Sequence, residues 1–265
     1  MNKIQLLLFS IFFFSYVSYS QTYSSIVKPR ISFIDESRTL NPDLDYLNAS
    51  NYEYENMIKY YQRIVFCTIY DDTLYNYKLM QWSTDIVIYL DKNLPKSVAN
   101  GFYDFISKSN INSVNNLNIS FTKKVSEANY IIKMTPKMVN GYDKDFEFDS
   151  EEERKNSFLT GGTYELSTDQ NNKFYSAVLE MSSKLKKTDD QFLKQLKQLF
   201  FKSLGNFVAD NYKDTDSLLH KAYINSDTIS EFDMNILKIH YGIIYEQIIN
   251  GSKFRSLVKL ANSNK

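Results

Sequence analysis

DQFLKQLKQLFFKSLGNFVADN, residues 190–211, is the stretch whose reading decides the fold. Phe192, Leu196, Leu199, Phe200, Ser203 and Phe207 recur at steps of three and four residues. Leu193, Leu204 and Val208 widen the same stripe. A helix packed into a globular core needs such a broad apolar face. Asp189 and Asp190 stand where an N-cap is expected, with their charge at the positive end of the helix dipole. Gly205 falls inside the helix or where it breaks. An internal glycine costs about 1 kcal/mol relative to alanine, which implies a packing or turning reason for it.

Working outward, the first twenty residues, MNKIQLLLFSIFFFSYVSYS, read as a secretory signal peptide. Lys3 supplies the positive start, Ile4 to Val17 the apolar run, and Ser18 and Ser20 the small residues before a cleavage site. The run is shorter than the roughly 20 residues that span a bilayer. The mature chain would begin near Gln21 and hold about 245 residues, enough for one domain with a sizeable core or one domain plus a small extension. The expected location is secreted or periplasmic. Loss of Lys3 leaves thirty basic against thirty-one acidic side chains. That balance gives no electrostatic reason to expect nucleic acid.

Cys67 is the one cysteine, so no internal disulfide forms. It sits in the apolar run IVFCTIY and reads as a buried thiol. Tyrosine and phenylalanine are abundant, and their distribution suits core and sheet packing. An aromatic carbohydrate platform is the alternative, but no repeat or regular pair supports it.

Taken in order, Ala49–Tyr61 reads as a helix and Arg63–Tyr70 as a strand. Lys78–Leu90 reads as one packed strand carrying Trp82, Ile86 and Ile88. Val98–Ile106 follows as a helix opened by Pro95. Leu117–Phe121 and Tyr130–Met134 are further strands, and Thr163–Leu166 with Ala177–Met181 forms a hairpin around Asp169–Lys173. Gly161–Gly162 marks a turn or a close backbone approach. After the central helix, Ser230 caps a helix that runs on to Gly242. A last helical stretch, Ile243–Leu260, is interrupted by Gly251. This order predicts an α+β fold, a twisted mixed sheet packed against helices with a C-terminal helical part. The organisation expected is a signal peptide over 1–20, an extension packing on the core over 21–77, the main domain over 78–242 and a helical tail over 243–265.

Four segments carry a resemblance: WSTDIVIYLDKNLP (82–95), LNISFTKKVSEANYIIKM (117–134), QLFFKSLGNFVAD (198–210) and SLLHKAYINSDTISEFDMNILKIHYG (217–242). Together the chain resembles the zincin metalloproteases, and in particular a divergent group of exported bacterial relatives of the metzincins. That resemblance implies a twisted sheet, then a helix bearing HExxHxxG, then lower helices. Aligned on Leu204–Gly205, the first histidine position is held by Gln198, the glutamate by Leu199, the second histidine by Lys202 and the third ligand by Val208. HExxH works because histidines four apart reach one zinc ion from one helical face while the glutamate takes a proton from zinc-bound water. An amide is a poor zinc ligand, a lysine brings its own positive charge, leucine is no base and valine has no donor. The resemblance therefore implies no metal, no cofactor and no catalytic residues.

Gln198 and Lys202 are read in two ways. They are surface residues of an ordinary helix, or with Gly205 they line the remnant of a cleft, where Lys202 would attract an acidic group. The remaining chemistry is thin. His220 reads as a turn residue. His240 sits near a helix end, where positive charge is welcome; the two form no HxxxH pair, and the alternative is a metal site where they meet Asp227 or Asp233 in space. Cys67 with a histidine, the pairs Asp71–Asp72 and Glu151–Glu153, and the glycine pair lack the spacing their chemistries need. Asn48, Asn118 and Asn250 head glycosylation sequons that matter only in a host that uses them. The expected function is an exported, non-catalytic binding or structural role, with a protein, peptide or glycan partner. The alternatives are a hydrolase with a non-standard centre and a purely structural secreted domain.

Overall fold

A computed structural model describes residues 52–66, 78–139, 150, 160–209, 215–245 and 249–263. The signal peptide, Asn48, Cys67, Asp71–Asp72 and Glu151–Glu153 lie outside these. Among the described residues six strands form one sheet: β1 (Gln81–Trp82), β2 (Ile86–Leu90), β3 (Ile119–Thr122), β4 (Tyr130–Thr135), β5 (Gly162–Thr168) and β6 (Lys173–Ser182). The helices are α1 (Tyr52–Phe66), α2 (Lys96–Lys108), α3 (Asp189–Gly205), α4 (Glu231–Lys238) and α5 (Gly251–Ser263). A π-helical turn, Ile239–Ile243, continues α4.

The strands β3, β2, β4 and β6 run parallel in that spatial order, and β1 pairs in parallel with the start of β6. Only β5 is antiparallel; it pairs with β6, Gly162 facing Met181. The fold is α+β, with a mixed sheet and helices, as the sequence order predicts. β2 alternates buried Ile86 and Ile88 with half-buried Val87 and Tyr89, the pattern of a strand covered mainly on one face. At the centre of the sheet, Tyr130, Ile131 and Ile132 of β4 are all buried.

The hairpin turn is local chemistry. Asp169 Oδ1 accepts from Asn171 N and Lys173 N, both at 2.8 Å, and Asn172 takes the left-handed conformation at φ 59°. Asparagine tolerates that region better than most residues.

Several boundaries differ from the sequence reading: β6 begins at Lys173 rather than Ala177, and the last helix begins at Gly251 instead of being interrupted there. Over Arg63–Phe66 the expected strand is instead the last turn of α1, because Met57, Tyr60, Tyr61 and Ile64 continue one buried helical stripe; the rest of that stretch, to Tyr70, lies outside the described residues. The single strand expected over Lys78–Leu90 is cut in two at Ser83–Asp85. Asn129 holds that break: its Oδ1 accepts from Val87 N at 2.7 Å, and its Nδ2 donates to Thr84 Oγ1 and Asp85 O. The N-cap of α3 is Thr188, with Asp189 and Asp190 in the first turn. Thr188 and Gln191 exchange side-chain and main-chain bonds in a capping box, which satisfies two orphan donors at once.

α3 is the centre of the molecule. From Gln195 to Gly205 every residue is buried, polar ones included. Phe200 meets Phe102 of α2 edge-on at 5.1 Å and Tyr130 of β4 at 5.3 Å, the offset geometry that aromatic rings prefer. A Cβ on Gly162 would sit 2.6 Å from Leu199 and 2.7 Å from the Gln195 amide. Glycine there is what lets α3 lie on the start of β5. The same core extends through Tyr61 and Ile64 of α1 and Phe254 of α5. Among the described residues, no helix is long and apolar enough to cross a membrane.

Candidate functional site

The zinc-pattern positions of α3 are all placed. Gln198 is 0 % exposed and Lys202 8 %, so neither is a surface residue. Leu199 is buried in the core, and Val208, past the helix, gives its main-chain N–H to Ile64 O at 2.9 Å. Gln198 points its amide nitrogen at a loop rather than at a void. Nε2 donates to His220 O at 2.8 Å and to Leu218 O at 3.2 Å. Its Oε1 is buried and has no hydrogen-bond partner among the described residues.

The loop that Gln198 holds is a strap over residues 217–226, pinned along its length. Asp233 of α4 anchors the start, accepting from Leu218 N at 2.7 Å and Ser217 Oγ at 2.8 Å. Its own main-chain N–H is capped by Ser230 Oγ. Lys197 of α3 anchors the end, donating to Asn225 Oδ1 and Ser226 O, both at 2.9 Å, and Asn225 Nδ2 reaches Asp190 Oδ1 at 2.6 Å. Tyr223 is buried and closes the strap on itself through Ser226. Consecutive residues of one face of α3 thus hold one loop.

Burial dominates the electrostatics here. It pushes the Asp233 carboxyl up to about 7, against the hydrogen bonds from Leu218 and Ser217 that favour the ion. It pushes the Lys197 ammonium down.

A second buried network lies at the other end of α3. His240, in the π-turn, is fully buried. Nε2 is 2.9 Å from Met80 O, so that nitrogen carries the proton, and Nδ1 accepts from the Tyr61 hydroxyl at 2.8 Å. Burial pushes His240 down to about 3. This corrects the reading of His240 as a positive charge at a helix end: the ring is neutral and both nitrogens are engaged. Beside it, Lys173 Nζ donates to Gln81 Oε1 at 2.5 Å, and Gln81 Nε2 donates to the carbonyls of His240 and Ile244. Gly205 is the last residue of α3, followed by Asn206 in the left-handed conformation. A Cβ on Gly205 would stand 2.9 Å from His240 Nε2 and collide with the Phe207 ring.

The donor set does not fit zinc. Gln198 turns a nitrogen, not an oxygen, toward its partners, and Lys202 carries an ammonium. Leu199 and Val208 have no donor. His240 has both ring nitrogens in use, and His220 Nδ1 accepts from Ala222 N at 3.0 Å in a turn, as expected of it. The two histidines engage different partners and do not share a site with Asp233.

Sequence reasoning missed Gln81, Lys173, Lys197 and the clamp made by Asp233. Lys173 follows Asn171–Asn172 and Lys197 lies among other lysines, so both read as solvated charges. Asp233 had a usable signal in the Ser230–Asp233 spacing of a capped first turn.

No protein-family model matches the sequence, and no curated protein matches it significantly.

Proposed function

We propose that the chain is an exported, non-catalytic zincin-like protein whose former cleft position is filled by its own residues 217–226, and that it serves a binding or structural role in the cell envelope or outside the cell. The single observation carrying this reading is the Gln198 side chain. At the position of the first zinc histidine, a fully buried carboxamide donates to two carbonyls of the strap. A side chain so used holds the protein together and reaches no substrate. The element order supports the resemblance: all six strands precede the helix bearing the departed motif, and further helices follow it. Secretion rests on residues 1–20 alone.

The reading is tested by elemental analysis of the purified protein together with a broad peptide-hydrolysis screen. The expected result is zinc far below one per chain and no cleavage that a chelator abolishes. One zinc per chain, with chelator-sensitive cleavage, would overturn it.

A further inference from the structure

The end of the sheet where β2 and β3 begin carries a groove of about 600 Å³. It is bounded by Ser83–Asp85, which separate β1 from β2, by residues 112–118, which lead into β3, and by Tyr245 beyond the π-turn. Its volume lies within the range of pockets that take small ligands. The walls are fixed from behind. Asn112 is tied to both main-chain atoms of Ile119, at 2.8 and 3.0 Å, and Asn129 holds Thr84 and Asp85 as described above. Asn116 Nδ2 reaches across to Tyr241 O at 2.8 Å. A frame held this way loses little entropy when a ligand binds.

The lining sets the ligand's chemistry. Among the described residues no lysine, arginine or histidine lines the groove, so these residues offer a phosphate, sulfate or carboxylate no counter-charge. Carboxamides dominate. The side chains of Asn115 and Asn118 are exposed and have no protein partner among the described residues; neither does the Asp85 carboxylate. Each carboxamide offers donors and an acceptor, and the carboxylate is an acceptor only. A hydroxyl both donates and accepts, so a polyhydroxylated ring can serve both kinds of group. Half-buried Tyr245, whose ring packs against Tyr241 and has Lys173 Nζ 5.8 Å from its centroid, closes one side of the groove. A calcium ion fits worse: it takes six to eight oxygens at about 2.4 Å, and one carboxylate leaves its charge uncompensated.

We propose that this groove is a binding site for a neutral saccharide. None of the zinc-pattern positions Gln198, Leu199, Lys202 and Val208 lines the groove, and the site is independent of the zincin resemblance.

The test is a nitrogen-edited NMR titration of the purified protein with a panel of neutral mono- and disaccharides, including N-acetylated ones, run beside calcium chloride. At least one saccharide should shift amides of residues 83–85 and 112–118 in a saturable way. N115A and N118A should each weaken that binding about fivefold, the loss of one hydrogen bond, while the rest of the spectrum stays unchanged. The proposal is overturned if no sugar in the panel shifts these amides at tens of millimolar. It is equally overturned if the shifts fall elsewhere on the molecule, or if only calcium produces them.

Discussion

Gln198 on α3 and His220 in the strap are joined by a single part-buried contact, Nε2 to main-chain oxygen at 2.8 Å. The same nitrogen also serves Leu218 O at 3.2 Å. Removing the amide leaves two strap carbonyls without that donor and opens space in a fully buried position. Q198A should therefore cost about 2–4 kcal/mol, combining unsatisfied polar groups with a cavity. Q198M, which keeps the volume and also removes the orphaned Oε1, should cost less. Urea unfolding of the two variants checks the order. Equal stability of Q198A and the parent would mean that the strap does not depend on this contact.

Asp233 makes the strap pH-dependent. Its folded-state pKa, about 7, lies above the ordinary carboxylate value of 3.8. The folded chain therefore holds a proton that the unfolded chain has lost, across roughly pH 4 to 7. Stability from this group is full below that window and falls as pH rises through it. The neighbouring Asp216 acts in the same direction as burial. D233N should flatten this part of the stability–pH curve while keeping one acceptor for Leu218 N. A D233N curve with the parent's slope would remove Asp233 as the cause.

His240 acts with the opposite sign. Its pKa is depressed to about 3 from 6.5, so the unfolded chain binds the extra proton between those values. Stability from the neutral ring is present above about pH 6.5 and lost on acidification. Between pH 4 and 6.5 the two groups therefore oppose each other, and the parent curve understates both. H240Q, which can still donate to Met80 O, should remove the acid-side loss and expose the Asp233 slope. Y61F deletes the donor to Nδ1 and should cost about 1–2 kcal/mol. Chemical unfolding of H240Q across pH 4 to 8 is the measurement that separates the two.

How far the sequence could be read depended on whether a residue's environment was set by its neighbours in the chain. The stripe through Phe192, Leu196, Leu199 and Phe200 showed α3 because a helical face repeats locally. The 169–173 turn showed the hairpin for the same reason. Ser230 was legible as a cap because capping spans three residues. The break at Ser83–Asp85 was not legible, since it is made by Asn129, more than forty residues away. The apolar run after Arg63 was ambiguous between strand and helix, as short apolar runs are. The departures at Gln198, Leu199, Lys202 and Val208 were visible as residue types. What Gln198 does instead depends on the strap twenty residues on, and no spacing rule covers a side chain that holds a loop.

Gly205 settles which of two effects governs the end of α3. By helix propensity alone, G205A should gain about 1 kcal/mol. Packing points the other way. The added methyl would meet His240 Nε2 at 2.9 Å and overlap the Phe207 ring, and both neighbours are buried aromatics with nowhere to move. Overpacking of this kind costs typically 1–3 kcal/mol, so the net change should be destabilising. Because His240 also holds Met80 and Tyr61, its displacement should disturb β1 and α1 together. G205A should show a lower midpoint in urea, with loss of amide protection in both elements by hydrogen exchange. A more stable G205A would mean that the π-turn yields readily and that the fit around His240 is loose.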